Sequence, residues 1–231
     1  MKILTWNINH RSNNHSLQYA IEQEKAYLIF LQECFHPLTY FTKQEFNKCS
    51  AKYSWEPTTN GWGNFILSKN ETISEISFDH EFKGRILVSK VITLTFGEMT
   101  LINFHTPITG QYSRFNLEKM FQITRKHILK GNTIICGDLN FGECFDKNGN
   151  TECADILNKI ITDYNIIDCY RKFNTGIGQT FRPNRNPNSL ICIDYIFVTK
   201  DLENRVRSCQ IVVNDQIKQM SDHNPLVAVI E

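Results

Sequence analysis

The chain has 231 residues, of which 41 % are hydrophobic and 21 % charged, with a formal net charge of +1. This composition excludes a disordered chain. The near-zero charge excludes a protein that holds nucleic acid by bulk electrostatics alone, though not one with a local basic patch. The N-terminal MKILTWNINH turns polar too early for the apolar core of a signal peptide, and no run of about 18 apolar residues occurs, so a cytoplasmic protein without a membrane span is expected.

Taken in chain order, the pattern predicts a strand from Lys2 to Ile8, a helix from Ser16 to Lys25 and a strand from Tyr27 to Leu31. Short strands follow over Lys52–Glu56, Asn64–Ser68, Ile73–Phe78, Ile86–Thr95 and Met99–Phe104. The clearest helix runs from Ser113 to Leu129. After it come a strand over Thr133–Cys136 and a helix over Cys153–Tyr164. The last strands are Cys192–Thr199, Val206–Val213 and Leu226–Ile230. No linker or repeat interrupts the pattern, which reads as one domain over residues 1–231 and as a monomer. Several strands follow one another without a helix between them. That fits two mixed sheets packed together with helices outside better than a doubly wound parallel sheet. The eight cysteines form no CxxC pair, so reduced thiols are expected and a zinc site is not.

The polar residues fall at the ends of apolar runs. KILTW ends in Asn7, YLIFL in Gln32-Glu33, TLINF in His105, and TIIC in Gly137-Asp138-Leu139-Asn140. The run Ile191-Cys192-Ile193 carries Asp194 in mid-strand, and Asp222-His223 stands before the final strand. Burying charge is costly unless it is paired or metal-bound, so a repeated pattern of this kind predicts that the strand ends converge. Oxygen donors suit a hard cation, and an imidazole beside a carboxylate suits acid–base work at phosphorus.

In this order the motifs TWNIN, FLQE, NFHTP, CGDLN, CIDYIF and SDHNP resemble the endonuclease/exonuclease/phosphatase superfamily, over residues 4 to 225. GNFILSK at 63–69 resembles a further strand of that family. The resemblance implies a four-layer α/β sandwich, two mixed β-sheets face to face with helices outside. It also implies hydrolysis of phosphoesters by water, with Mg²⁺ as cofactor and Mn²⁺ as a substitute. Carried over residue by residue, Glu33 matches a metal-binding glutamate, Asn7 lies beside the metal, and Asp222 is an acidic neighbour. Asp138 and Asn140 match the pair that orients the attacking water and contacts phosphate. Asp194 matches the acid that holds a catalytic histidine, His223 is that histidine, and His105 matches a phosphate-contacting histidine. Two positions depart from the pattern. Cys192 stands where many members have arginine before IDY, and Asn9 where some nucleases have an acid.

Taken singly, these residues have plainer readings: Asn7 as a turn cap, Asp138 and Asn140 as an Asx turn, His105 as a core histidine. The ordered set favours the site. For substrate contacts, Phe181, Arg182 and Arg185 in QTFRPNRNPNS offer an aromatic face and cations ahead of CIDYIF, against a solvated loop as the alternative. Tyr112 and Arg114 stand at the start of a helix, where Arg114 would equally pair with Glu118. The expected activity is a divalent-metal phosphodiester hydrolase, a nuclease acting on DNA ahead of RNA. The alternative is a phosphatase or phosphodiesterase of inositol-phosphate or sphingomyelin type.

Overall fold

In the computed structural model, residues 1–9, 15–39, 52–108 and 113–231 are described. Among the described residues, twelve strands form two six-stranded sheets. The first has the order β11-β12-β1-β2-β4-β3 and the second β5-β6-β7-β8-β10-β9. The strands are β1 (Lys2–Asn7), β2 (Leu28–Phe35), β3 (Lys52–Pro57), β4 (Trp62–Ser68), β5 (Ile73–Glu75), β6 (Ile86–Thr93), β7 (Gly97–His105), β8 (Thr133–Asp138), β9 (Ile166–Asp168), β10 (Asp194–Thr199), β11 (Val206–Ile211) and β12 (Leu226–Ile230). Each sheet is mixed: β1 runs parallel to β2 and β7 parallel to β8, and the other pairs are antiparallel.

Three apolar cores separate four layers, because alternate residues of one strand serve different cores. Ile3, Leu28, Phe30, Leu101, Ile134 and Ile196 fill the space between the sheets. Ile102, Phe104, Ile135 and Phe197 turn outward to pack on α2 (Ser113–Ile128) and α3 (Glu152–Asp163). Leu4, Trp6, Ile29 and Leu31 pack on α1 (His15–Gln18), the π-helical turn Tyr19–Gln23, and α5 (Asp215–Met220). The chain therefore forms the four-layer α/β sandwich. No helix among the described residues is long and apolar enough to cross a membrane. The seven cysteines described are free thiols.

The structure differs from the predicted elements where the elements are short. The helix expected over Ser16–Lys25 is one α-turn followed by a π-turn, and the strand expected to reach Phe78 stops at Glu75. Strand β9 and the short helices α4 (Cys169–Phe173) and α5 carry no long periodic signal.

The topology brings the polar strand ends together. Parallel pairing puts the C-terminal ends of β1 and β2 side by side, Asn7 opposite Gln32, and does the same for His105 and Asp138 at the ends of β7 and β8. Because β10 is antiparallel to β8, its first residue Asp194 lies opposite Asp138. Gly137 allows the close approach: its φ is +141°, and a Cβ there would sit 1.9 Å from the Phe104 carbonyl oxygen.

Candidate active site

The convergent ends open into a cavity of about 720 Å³. Asn7, Glu33, His105, Asp138, Asn140, Asp222 and His223 line it. His223 Nδ1 lies 2.9 Å from Asp194 Oδ2, and its Nε2 faces Asp138 Oδ2 at 3.9 Å. The loop that carries His223 is fixed from both sides. Trp6 Nε1 donates to the His223 carbonyl, and Ser221 Oγ donates to the Asn7 carbonyl while accepting from the His223 N–H. Asn224 N–H donates to the Thr180 carbonyl, and the Thr180 hydroxyl accepts from the Ile193 and Asp194 N–H groups.

Asn7 turns its Nδ2 toward Asp138 Oδ2 at 2.9 Å and Glu33 Oε1 at 3.3 Å, while its Oδ1 accepts from the Asn9 N–H. In this arrangement Asn7 binds the carboxylates together. Asn9, which departs from the resembled pattern, donates to Asp222 Oδ1 at 2.8 Å. The Asn140 N–H donates to Asp138 Oδ1, and its side-chain amide donates to the Thr106 carbonyl. His105 Nε2 lies 3.5 Å from Glu33 Oε1.

Burial and neighbouring charge shift both Asp138 and His223. Burial raises the Asp138 carboxyl above the usual carboxylate range and nearby Asp194 adds to it, while His223 and the Asn7 and Asn140 hydrogen bonds pull against the rise. For His223, burial alone would lower the imidazole value. The Asp194 carboxylate, by charge and hydrogen bond, outweighs burial with help from Asp138 and Asp222, and the value rises to about 9.

Arg85 and Trp62 line the cavity without an expectation from sequence. The Arg85 guanidinium sits 4.6 Å from the Trp62 ring centroid, and its Nη1 is 3.0 Å from both ring nitrogens of His105. Arg85 stands before the apolar run of β6 and Trp62 opens β4, whereas the sequence signal was sought where strands end. The lining also includes the apolar side chains of Phe141, Phe145, Phe181, Ile191 and Ile193.

The expected substrate residues separate. The Phe181 ring lies 4.9 Å from the His223 ring and lines the cavity. Arg114 also lines it, paired with Glu152 at 2.7 Å and Glu118 at 3.6 Å. Arg182 and Arg185 are not among the lining residues. The Arg182 guanidinium is tied to Asn224 Oδ1 and the Ser221 carbonyl, so it braces the His223 loop, and Arg185 is exposed. Tyr112 lies outside the described residues.

The donor set fits a hard cation. Asp138, Asp194 and His223 offer ligand atoms within 4.8 Å of one another, so the cluster could hold a metal ion. The His223 and Asp194 atoms that meet at 2.9 Å already satisfy each other. Glu33 and Asp138 crowd negative charge around one Asn7 amide, a crowding that a cation would relieve.

Two mixed sheets that gather acids, amides and two histidines at one end make an arrangement suited to phosphoester chemistry. The model of the Endonuclease/Exonuclease/phosphatase family matches residues 4–223, and the chain belongs to that family. Among solved structures, it is similar to an AP endonuclease from Archaeoglobus fulgidus at 21 % identity, covering 100 % of this chain and 99 % of that one, with a TM-score of 0.76. It is similar to AP endonuclease LMAP from Leishmania major at 17 % identity, covering 100 % and 87 %, with a TM-score of 0.75. It is also similar to the 3' phosphatase NExo from Neisseria, bound to a product DNA hairpin, at 14 % identity, covering 100 % and 99 %, with a TM-score of 0.77. No curated protein matches the sequence significantly.

Proposed function

We propose that the protein is a divalent-metal-dependent nuclease that hydrolyses DNA phosphodiesters by direct attack of water. The observation that carries this reading is the pairing of Asp194, His223 and Asp138 across 2.9 and 3.9 Å, with His223 and Asp138 lining one cavity. Glu33 would hold the cation, Mg²⁺ or in its place Mn²⁺, with Asn7 and Asp222 beside it. When bound, the cation neutralises charge that develops on a phosphate oxygen.

The remaining steps belong to the chain. Asp138, its basicity raised by burial, takes the proton from the attacking water, which Asn140 helps to orient; as the water oxygen bonds to phosphorus the ester P–O bond breaks, and the leaving oxygen takes up a proton from solvent. His223 stays protonated through neutral pH and stabilises the phosphorane-like charge, while Asp194 fixes its ring. His105, its Nε2 4.0 Å from Asp138 Oδ2, and Arg85 beside it are the groups that would contact a non-bridging phosphate oxygen. DNA as substrate is supported by the family and by neighbours named as AP endonucleases and as a 3' phosphatase on a DNA hairpin.

The test is a panel of end-labelled duplex DNA, single-stranded DNA, RNA and 3'-phosphorylated DNA, incubated with Mg²⁺ or EDTA. Metal-dependent loss of DNA is expected, and the product ladder separates internal cuts from trimming. No cleavage of any nucleic acid, with turnover of an inositol phosphate or sphingomyelin, would replace this reading with the small-phosphoester one.

A further inference from the structure

We propose that the buried amides Gln32, Asn64 and Asn103 form a clamp that aims Glu33 into the cavity, and that Asn103 is its central positioning residue. The proposal rests on the reading of Glu33 as the metal-holding carboxylate. Leu28 and Phe30 face the space between the sheets, and Ile29 and Leu31 face the outer core. Continued alternation would send Glu33 outward, into that apolar core, and Cys34 inward. Cys34 instead packs in the outer core. The pairing passes from Leu31 opposite Phe65 to Cys34 opposite Gly63, three steps on β2 against two on β4. The extra residue is a β-bulge, and Glu33 takes a φ of 54° within it. The bulge is therefore what turns Glu33 toward Asn7 and His105.

A bulge interrupts the ladder, and Asn103 from the opposite sheet supplies the missing donors. Its Nδ2 donates to the Leu31 carbonyl at 2.9 Å and to the Phe65 carbonyl at 3.0 Å, one on each strand that flanks the bulge. Its Oδ1 accepts from Gln32 Nε2 at 2.7 Å, and the same Nε2 reaches Thr5 Oγ1 at 3.1 Å. Asn64 Nδ2 donates to the Asn103 carbonyl at 2.8 Å and the Arg85 carbonyl at 2.9 Å, which ties in the turn that carries Arg85 ahead of β6. All three amides are fully buried. Gln32 Oε1 and Asn64 Oδ1 have no donor among the described residues. An apolar layer would avoid that cost, so stability alone does not account for the arrangement, and what it supplies is geometry.

The test is direct Mn²⁺ binding to chelator-stripped protein, read by the electron paramagnetic resonance signal of free Mn²⁺. Asn103→Ala is expected to weaken binding by about tenfold or more, the scale of losing support behind a metal ligand, and Gln32→Met by less. Ile102→Ala, a cavity on the other face of β7, serves as the control for lost stability and should keep wild-type affinity. Wild-type affinity in folded Asn103→Ala would overturn the clamp, as would an equal loss in Ile102→Ala. If Asn103→Ala does not fold, Gln32→Met carries the same test, and unchanged binding there overturns it too. Glu33→Gln separates the clamp from the reading beneath it: wild-type Mn²⁺ binding in that variant removes Glu33 as the ligand whatever the clamp does.

Discussion

At the residue scale, His223 and Glu33 carry the sharpest expectations. The imidazole of His223 is raised to about 9, so its contribution to stability is complete below its ordinary value near 6.5 and is lost as pH rises through about 9. As the charge-stabilising group, it should give a pH–rate profile whose alkaline limb falls near pH 9. The acid limb should follow Asp138, above the ordinary carboxylate range. Asp194→Asn should move the alkaline limb to lower pH; an unmoved limb would detach it from His223. Glu33 sits in the left-handed region at φ 54°, where a Cβ costs about 1–2 kcal/mol. Glu33→Gly should therefore be more stable than Glu33→Ala by about 1 kcal/mol in urea unfolding, the reverse of an ordinary strand position. Equal stability would mean that the bulge relaxes without strain.

The same residues show what the sequence made legible. Asn7, Glu33, His105, Asp138 and Asp222-His223 each end or precede an apolar run, and the structure gathers them at one cavity. Gln32 and Asn103 stood inside quoted motifs without a role, because an amide within an apolar run has meaning only once its partner in the other sheet is known. Arg85 escaped because its contacts with Trp62 and His105 join residues about 20 positions apart or more. Arg182 looked like a phosphate ligand, but its guanidinium finds acceptors within the fold first.

At the element scale, long regular segments were readable and short ones were not. The 16-residue helix α2 has enough turns to show its period. Helix α4, of 5 residues, exists because Asp168 caps it, accepting from the Tyr170 and Arg171 N–H groups. Burial raises Asp168 to about 6 from an ordinary 3.8, against the pull of those N–H groups and Arg171. A raised carboxyl contributes stability that is complete below 3.8 and lost as pH rises through about 6. The shift corresponds to a loss on the order of 2–3 kcal/mol. Asp168→Asn keeps a capping oxygen and cannot ionise. Its melting temperature should fall less than that of the wild type between pH 5 and 7.5. Parallel falls would place the pH dependence elsewhere.

At the scale of the whole molecule, the sandwich stacks an apolar inter-sheet core, a layer of amides and a layer of ionisable groups toward one open end. Strand count and order of motifs were enough to anticipate two mixed sheets; the bulge that brings Glu33 into the upper layer was not visible, since one extra residue leaves no periodic trace. The formal charge of +1 and the two lining arginines among the described residues, Arg85 and Arg114, make electrostatic capture modest. The logarithm of the DNA-binding constant should fall with the logarithm of salt concentration with a slope no steeper than about −2. A slope several times steeper would point to a basic surface beyond this cavity.

The central claim is that one cavity hydrolyses phosphodiesters with a cation and the His223–Asp194 pair. Its most direct test is single-turnover cleavage of labelled DNA at saturating Mg²⁺ by the wild type and by His223→Ala, with circular dichroism to confirm folding. The account predicts a rate reduced by about 10²–10⁴ in the variant and abolished for both by EDTA. A folded His223→Ala that cleaves at the wild-type rate, or cleavage that persists in EDTA, would contradict it.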